Sequence, residues 1–320
     1  MNYIIYRLLI FSLLFILFCK KTESIKPIKP GQNFELQGHR GARGLLPENT
    51  IPAFQKALEL NMNVIELDTI LSSDKEILVY HDIFLNSNLC RTQEGKKLEP
   101  KPVNHISLQE FKNLDCGSVK NPKFPEQKTI PKTHPPDLEE VFSFITSYER
   151  KNPEAKKVYL NIEIKANPHD MTDKDLYFHA DKIITLAEKY SLKDRITIQS
   201  FEHIVLTYIK EKYPSVKTSA LFSMTYFQFF RSKLGWIKGL QKEVIEKSIT
   251  LKVDYISPFY AYVNPDFVKA CHEKGLKLIP WTINSEEHIE EIMSYGVDGI
   301  ISDYPDRLYR VWKKLSESSL

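Results

Sequence analysis

From Asn63 to Asp82 the chain reads NVIELDTILSSDKEILVYHD. Val64–Asp68 and Ile77–His81 are short β-rich runs, and each closes on chemistry: Glu66 and Asp68 in the first, His81 and Asp82 in the second. Glu66 and Asp68 stand two apart, so on a strand they project to the same side. Several of the chain's β-rich runs are apolar on both faces, as strands buried under helices are. Only 12 residues separate Asp68 from His81. That is too few for a helical crossover between parallel strands, so this unit should lack its helix.

Outward from this stretch the same alternation continues. Further strands are expected at Phe34–His39, Val158–Ile164, Ile196–Gln199, Lys217–Phe222, Tyr255–Ser257, Leu276–Trp281 and Gly299–Ser302. Helical patterns fall at Ile51–Leu60, Leu138–Tyr148, Asp173–Tyr190, Phe201–Lys212, Lys242–Ser248, Pro265–Lys274 and Ser285–Tyr295, the last opening on a serine suited to an N-cap. Repeated β-then-α units of this number predict a TIM (β/α)8 barrel. Nine candidate strands compete for eight places, so at least one is either no strand or lies outside the barrel. Residues 83–136, polar and rich in Pro and Asn, interrupt the rhythm. They are expected to form a small insertion after the third strand, with a short helix at Leu108–Leu114, within one domain over residues 34–320.

The 320 residues carry 44 Lys and Arg against 41 Asp and Glu, a net charge of +3. That balance gives no basic face for nucleic acid. At 42% hydrophobic residues the chain is globular. Residues 1–19 differ in kind. Arg7 precedes an apolar run from Leu8 to Phe18, and Cys19 and two lysines follow. This is the pattern of an export signal, too short for a membrane-spanning helix. It resembles a bacterial lipoprotein signal with Cys19 as the lipidated residue, although Leu17 and Phe18 occupy places where small residues are usual; the alternative is an uncleaved N-terminal anchor. Residues 20–33 would then be an extended tether. The remainder would be exported and held at the cell envelope, in the periplasm or at the surface. An oxidising compartment would permit a Cys90–Cys116 bridge, but spacing leaves free thiols equally open.

Polar residues gather at the expected C-terminal strand ends: Gly38-His39-Arg40-Gly41, Glu66-Leu67-Asp68, His81-Asp82, Asn161-Ile162-Glu163-Ile164-Lys165 and Trp281-Thr282-Ile283-Asn284. In a barrel these ends share one mouth, where such enzymes place their active sites. Glu66, Asp68 and Glu163 converging there would repel one another unless a cation sat among them. An all-oxygen donor set favours one hard divalent ion, Ca²⁺ or Mg²⁺. Arg40 and Lys165 beside it suit an anionic substrate such as a phosphodiester. His39 and His81 could supply a general acid and a general base.

These segments, with Pro47-Glu48-Asn49-Thr50, Gln199-Ser200-Phe201 and Asp298-Gly299-Ile300-Ile301-Ser302-Asp303-Tyr304-Pro305, resemble the motifs of the glycerophosphodiester phosphodiesterase family, in family order. Cys90-Arg91-Thr92-Gln93 and Ser107-Leu108-Gln109-Glu110-Phe111 resemble its inserted region. The resemblance implies a metal-dependent barrel hydrolase that releases sn-glycerol 3-phosphate and an alcohol. It further implies metal ligation by Glu66, Asp68 and Glu163, acid/base work by His39 and His81, and phosphate contacts from Arg40 and Lys165. In this family the glycerol hydroxyl is thought to attack first, giving a cyclic phosphate. Phe201 and Trp281 would line the glycerol and alcohol pocket, or instead form barrel core. Asp303 is expected to cap the final turn rather than to orient the site, and Glu48 and Asn49 to shape the first loop.

Two other activities fit the same residues, a lysophospholipase D and a sphingomyelinase D-like enzyme, whereas a phosphoinositide-specific lipase fits the carboxylate pairs less well. A non-catalytic surface-binding lipoprotein would require a degraded site, which the sequence does not have. Residues 222–236, FSMTYFQFFRSKLGW, hold six aromatics after a strand. They could form a loop helix packed on the barrel, or an aromatic lip at its mouth.

Overall fold

The computed structural model describes residues 30–31, 33–233 and 236–317. The expected signal, Cys19 and nearly all of the tether lie outside these residues. Among the described residues no helix is long and apolar enough to cross a membrane.

Strand β1 (Glu35–Gly38) leads through the His39-Arg40-Gly41 turn to α1 (Ile51–Glu59). Strand β2 (Val64–Leu71) folds back on β3 (Ile77–Val79), and the insertion adds β4 (Arg91–Thr92), α2 (Leu108–Lys112) and β5 (Leu114–Asp115). Helix α3 (Leu138–Lys151) returns the chain to β6 (Tyr159–Ile164). There follow α4 (Asp173–Lys189), β7 (Ile196–Ser200), α5 (His203–Lys212), β8 (Lys217–Phe222), α6 (Tyr226–Lys233) and α7 (Ile237–Leu251). The chain closes with β9 (Tyr255–Pro258), α8 (Pro265–His272), β10 (Lys277–Leu278), α9 (Glu286–Ser294), β11 (Gly299–Ser302) and α10 (Pro305–Glu317).

Eight parallel strands run in the order β10-β9-β8-β7-β6-β2-β1-β11. The two ends meet where Asp298 N–H donates to Leu278 C=O and Ile301 N–H to Pro280 C=O, so the sheet closes into the expected TIM (β/α)8 barrel. Helices start where the sequence provides caps: Thr50, Asp137, Thr172, Asn264 and Ser285 each accept from a backbone N–H of the first turn. Their apolar faces join the inner residues of the strands in one core.

The ninth candidate strand is accounted for by the turn that opens this stretch. Ser72 exchanges hydrogen bonds with Glu76, and β3 pairs antiparallel with β2, Thr69 opposite Val79. Ile77–Val79 is therefore the return arm of a hairpin and no part of the barrel. The insertion follows this hairpin, and α3 is the crossover helix the unit had seemed to lack. Helix α10 has no counterpart among the expected elements.

The insertion has its own apolar cluster, in which Val103, Ile106, Phe111 and Leu114 pack on Ile70, Leu78 and Tyr80 of the hairpin region. Cys90 and Cys116 are joined in a disulfide, which resolves the pairing that spacing left open.

Candidate active site

The register of β2 against β6 builds the centre of the mouth. Asp68 pairs with Glu163 and Glu66 with Asn161. Inward-facing residues alternate along each strand, so Glu66, Asp68 and Glu163 come together, each buried, with one oxygen of each lying within 4.8 Å of the others. Glu66 Oε2 accepts from the backbone N–H of Arg40 (2.9 Å) and Oε1 from Gln199 Nε2 (2.8 Å). Asp68 Oδ2 accepts from Asn49 Nδ2 (2.8 Å) and lies 3.0 Å from Arg40 Nε. Glu163 Oε1 meets Lys165 Nζ at 3.0 Å.

The turn after β1 aims these donors. Arg40 has φ +50° and Gly41 φ +81°. A Cβ on Gly41 would stand 2.6 Å from the backbone of Ala53, so only glycine fits there. The turn points the Arg40 N–H at Glu66 and sends its guanidinium to Asp68 and Glu48.

The electrostatics follow from burial and crowding. Burial raises the Glu66 pKa well above the usual carboxylate range, and Asp68 and Glu163 add to the rise. Glu163 is also raised, by burial first and against the pull of Lys165. Asp68 ends low because Arg40, followed by His81 and Lys165, outweighs its burial. Buried Asp68 Oδ1 has no hydrogen-bond partner among the described residues. A hard divalent cation fits this cluster: it would take up the orphaned oxygen and remove the repulsion that raises Glu66 and Glu163.

A His–Asp dyad lies on each side of the cluster. His39 Nδ1 donates to Asp303 Oδ1 (2.6 Å), and Asn284 Nδ2 donates to Asp303 Oδ2 (2.8 Å). His81 Nδ1 donates to Asp82 Oδ1 (2.7 Å), and Asn86 Nδ2 to Asp82 Oδ2 (2.7 Å). A proton held on Nδ1 turns each Nε2 to proton transfer. Burial lowers the His39 pKa, and Asp303 only partly offsets it. Asp303 and Asp82 are both brought to about 2, where their histidine bonds overcome burial, so both stay ionised.

All nine non-lipidation site residues named from the sequence gather at this mouth. His39, Arg40, Glu66, His81, Glu163, Lys165, Phe201 and Trp281 line a cavity of about 200 Å³, and Asp68 lies behind Arg40. Phe201 and Trp281 meet edge to face, 5.8 Å between centroids, at the cavity, and Trp281 also packs on the buried cluster of Tyr255, Ile279 and Ile301. A wider groove of about 560 Å³ adjoins it, shares His81 and Lys165, and is walled by Ile83, Phe84, Leu85 and Leu98 of the insertion. Asp303 is corrected: it orients His39. The signal for it was faint, because its partner lies 264 positions away. Arg43 also lines the cavity and was missed, since no motif residue stands beside it to mark it. Glu48 and Asn49 hold the first loop as expected, through Arg40 and Asp68.

A barrel mouth with three buried carboxylates, two carboxylate-oriented imidazoles and flanking cations defines a metal-assisted phosphoric diester hydrolase. Residues 39–307 match the model of the glycerophosphoryl diester phosphodiesterase family, and the chain belongs to that family. A glycerophosphodiester phosphodiesterase of Caldanaerobacter subterraneus subsp. tengcongensis is 31% identical over 276 residues, covering 86% of this chain and 96% of that one. A crystal structure from Silicibacter pomeroyi, assigned to the glycerophosphoryl diester phosphodiesterases, superposes with TM-score 0.79 at 24% identity over 92% of this chain and 97% of that one. A phosphodiesterase of Oleispira antarctica, solved with its product sn-glycerol 3-phosphate, shares the fold with TM-score 0.66 at 20% identity, over 87% and 96% of the two chains. The chain is a phosphoric diester hydrolase that acts on glycerophosphodiesters.

Proposed function

We propose that Glu66, Asp68 and Glu163 hold one Ca²⁺ or Mg²⁺ ion and that His39 and His81 divide the proton transfers of diester cleavage between them. The observation that carries this is the placement of two carboxylate-oriented imidazoles around three buried carboxylates, one with an orphaned oxygen. When bound, the ion polarises a phosphoryl oxygen and neutralises charge that develops on it.

The remaining work belongs to the chain's own side chains. Lys165 and Arg40 present positive charge to the phosphate. Phe201 and Trp281 give the glycerol carbons an apolar wall and keep bulk water from that side of the phosphorus. The glycerol hydroxyl next to the phosphate is already positioned as nucleophile, which removes part of the entropic barrier. One imidazole, neutral and with Nε2 unprotonated, takes the proton of that hydroxyl, while the other, entering as imidazolium, gives its Nε2 proton to the departing alkoxide. Asp303 and Asp82 keep the two rings in the tautomer this needs. This step expels the alcohol and leaves a cyclic glycerol phosphate; water then attacks the phosphorus with the two imidazoles in reversed roles, one taking the water's proton and the other returning one to the leaving glycerol oxygen, which gives sn-glycerol 3-phosphate.

The apolar groove beside His81 supports a second substrate class, lyso-lipids cleaved as by a lysophospholipase D, because it offers room beyond the small cavity. Attachment at the cell envelope through Cys19 is supported by the sequence of residues 1–19 and by the Cys90–Cys116 disulfide, which an oxidising compartment maintains.

Incubation of the full chain with glycerophosphocholine, in Ca²⁺, Mg²⁺ or EDTA, tests the proposal. Metal-dependent release of sn-glycerol 3-phosphate and choline is expected. Release that persists at full rate in EDTA, with the metal removed beforehand, would overturn the metal assignment.

A further inference from the structure

We infer that α6 and Trp236 form an interfacial anchor that seats the barrel mouth on an anionic lipid surface. The proposal rests on the phosphodiesterase reading and adds to it the physical state in which a lipid substrate is met.

Three observations carry it. First, the apolar surface is concentrated and points outward. Tyr226 is 89% exposed, Phe227 66%, Phe230 57% and Trp236 62%. Residues 226, 227 and 230 are spaced i, i+1 and i+4, one face of a helix. The chain just before the helix is held down, since Phe222 and Met224 pack on the barrel core. Water-facing aromatics in such a group are costly on a surface that never meets an apolar phase.

Second, the display is built. Thr225 and Gln228 close a capping box at the start of α6: Gln228 N–H donates to Thr225 Oγ1 (3.2 Å) and Thr225 N–H to Gln228 Oε1 (2.9 Å). The segment follows β8 and so stands at the same barrel end as the catalytic cavity, where the exposed rings of Phe84 and Phe201 also lie.

Third, the charge matches one surface. From Phe222 to Lys242 the sequence holds Arg231, Lys233, Lys238 and Lys242 and no carboxylate at all. Phe, Tyr and Trp interleaved with cations alone is the composition of a segment that lies in the headgroup region of an anionic bilayer. A protein partner would be met by no such restriction on charge. The tether permits the orientation: 14 residues, 20–33, reach at most about 50 Å, whereas the eight-residue β2 spans about 26 Å.

The full chain is reconstituted in vesicles of brominated phosphatidylcholine and phosphatidylglycerol, and tryptophan fluorescence is compared between wild type and Trp236→Phe. Quenching that disappears in the variant is expected, because Trp236 would reach the lipid. In parallel, Tyr226→Ser/Phe227→Ser/Phe230→Ser is assayed on lysophosphatidylglycerol in those vesicles and on glycerophosphocholine in solution. About a tenfold loss on the vesicle substrate, with the soluble rate unchanged, is expected. The soluble rate also reports that the variant has folded, and its absence in wild type would count against the enzymatic reading rather than the anchor. Equal quenching in wild type and Trp236→Phe, or the same rate on vesicles for wild type and triple variant, would overturn the anchor.

Discussion

The two His–Asp dyads have nearly equal bonds, 2.6 Å for His39–Asp303 and 2.7 Å for His81–Asp82, yet they are built differently. The first joins the ends of β1 and β11, and its side chains are 12% and 7% exposed. The second joins neighbours in sequence at the foot of the insertion, and its side chains are 31% and 29% exposed. One dyad is a product of barrel closure and is fixed by it. The other stands where the hairpin gives way to the insertion and shares its edge with the open groove. A low-dielectric setting makes a charge pair stronger and its loss costlier, so the same dyad should matter more at His39 than at His81.

Replacing either imidazole should have the largest effect. His39→Ala and His81→Ala are each expected to lower kcat by about 10²- to 10⁴-fold on glycerophosphocholine. Retained activity in either variant would remove that dyad from the comparison. Next in size is the disulfide. Cys90→Ser/Cys116→Ser opens a loop of 26 residues, and a loss of about 3 kcal/mol is expected in denaturant unfolding. Because the insertion walls the groove beside His81, KM for lyso-lipids should rise in this variant; an unchanged KM would detach the groove from the site.

The carboxylates test the comparison itself. Asp303→Asn should cost about 10²-fold in kcat, and Asp82→Asn only about tenfold, since water can replace an exposed partner. Equal losses would show that burial does not separate the two dyads. A third histidine supplies a control without any carboxylate. His179 is fully buried; Thr69 donates its hydroxyl proton to Glu163 C=O, so His179 Nε2–H donates to Thr69 Oγ1, and Nδ1 has no partner among the described residues. Burial lowers its pKa to about 3. The unfolded chain therefore takes up a proton below pH ~6.5 that the folded chain refuses until pH ~3, and stability falls as pH drops through that window. Between pH 7 and 5 wild type should lose about 2 kcal/mol more than His179→Gln in urea unfolding. Parallel losses would place the buried charge cost elsewhere.

Much of this was legible in the sequence. The strand-end residues carried the site because barrel strands all deliver their C-terminal ends to one mouth, so local motifs at Gly38–Gly41, Glu66–Asp68 and Glu163–Lys165 sufficed. What failed was non-local. Ile77–Val79 has the composition of a buried parallel strand, and only the Ser72–Glu76 turn makes it a hairpin arm. Asp303 has the look of a turn residue until β11 closes beside β1 and brings it to His39. Arg43 takes its place from packing over Phe124 of the insertion, 4.8 Å from the ring, which no spacing within its own segment reveals.

The most direct test of the account is a single titration that measures ion binding and turnover together. Metal-free full chain is titrated with Ca²⁺ and separately with Mg²⁺, while bound ion and release of sn-glycerol 3-phosphate from glycerophosphocholine are both followed, for wild type, Glu163→Gln and His39→Ala. The account predicts one ion per chain, activity that rises with its occupancy, weakened binding in Glu163→Gln, and an ion bound without turnover in His39→Ala. Full turnover before any ion binds, or an ion bound equally well after Glu163→Gln, would contradict it.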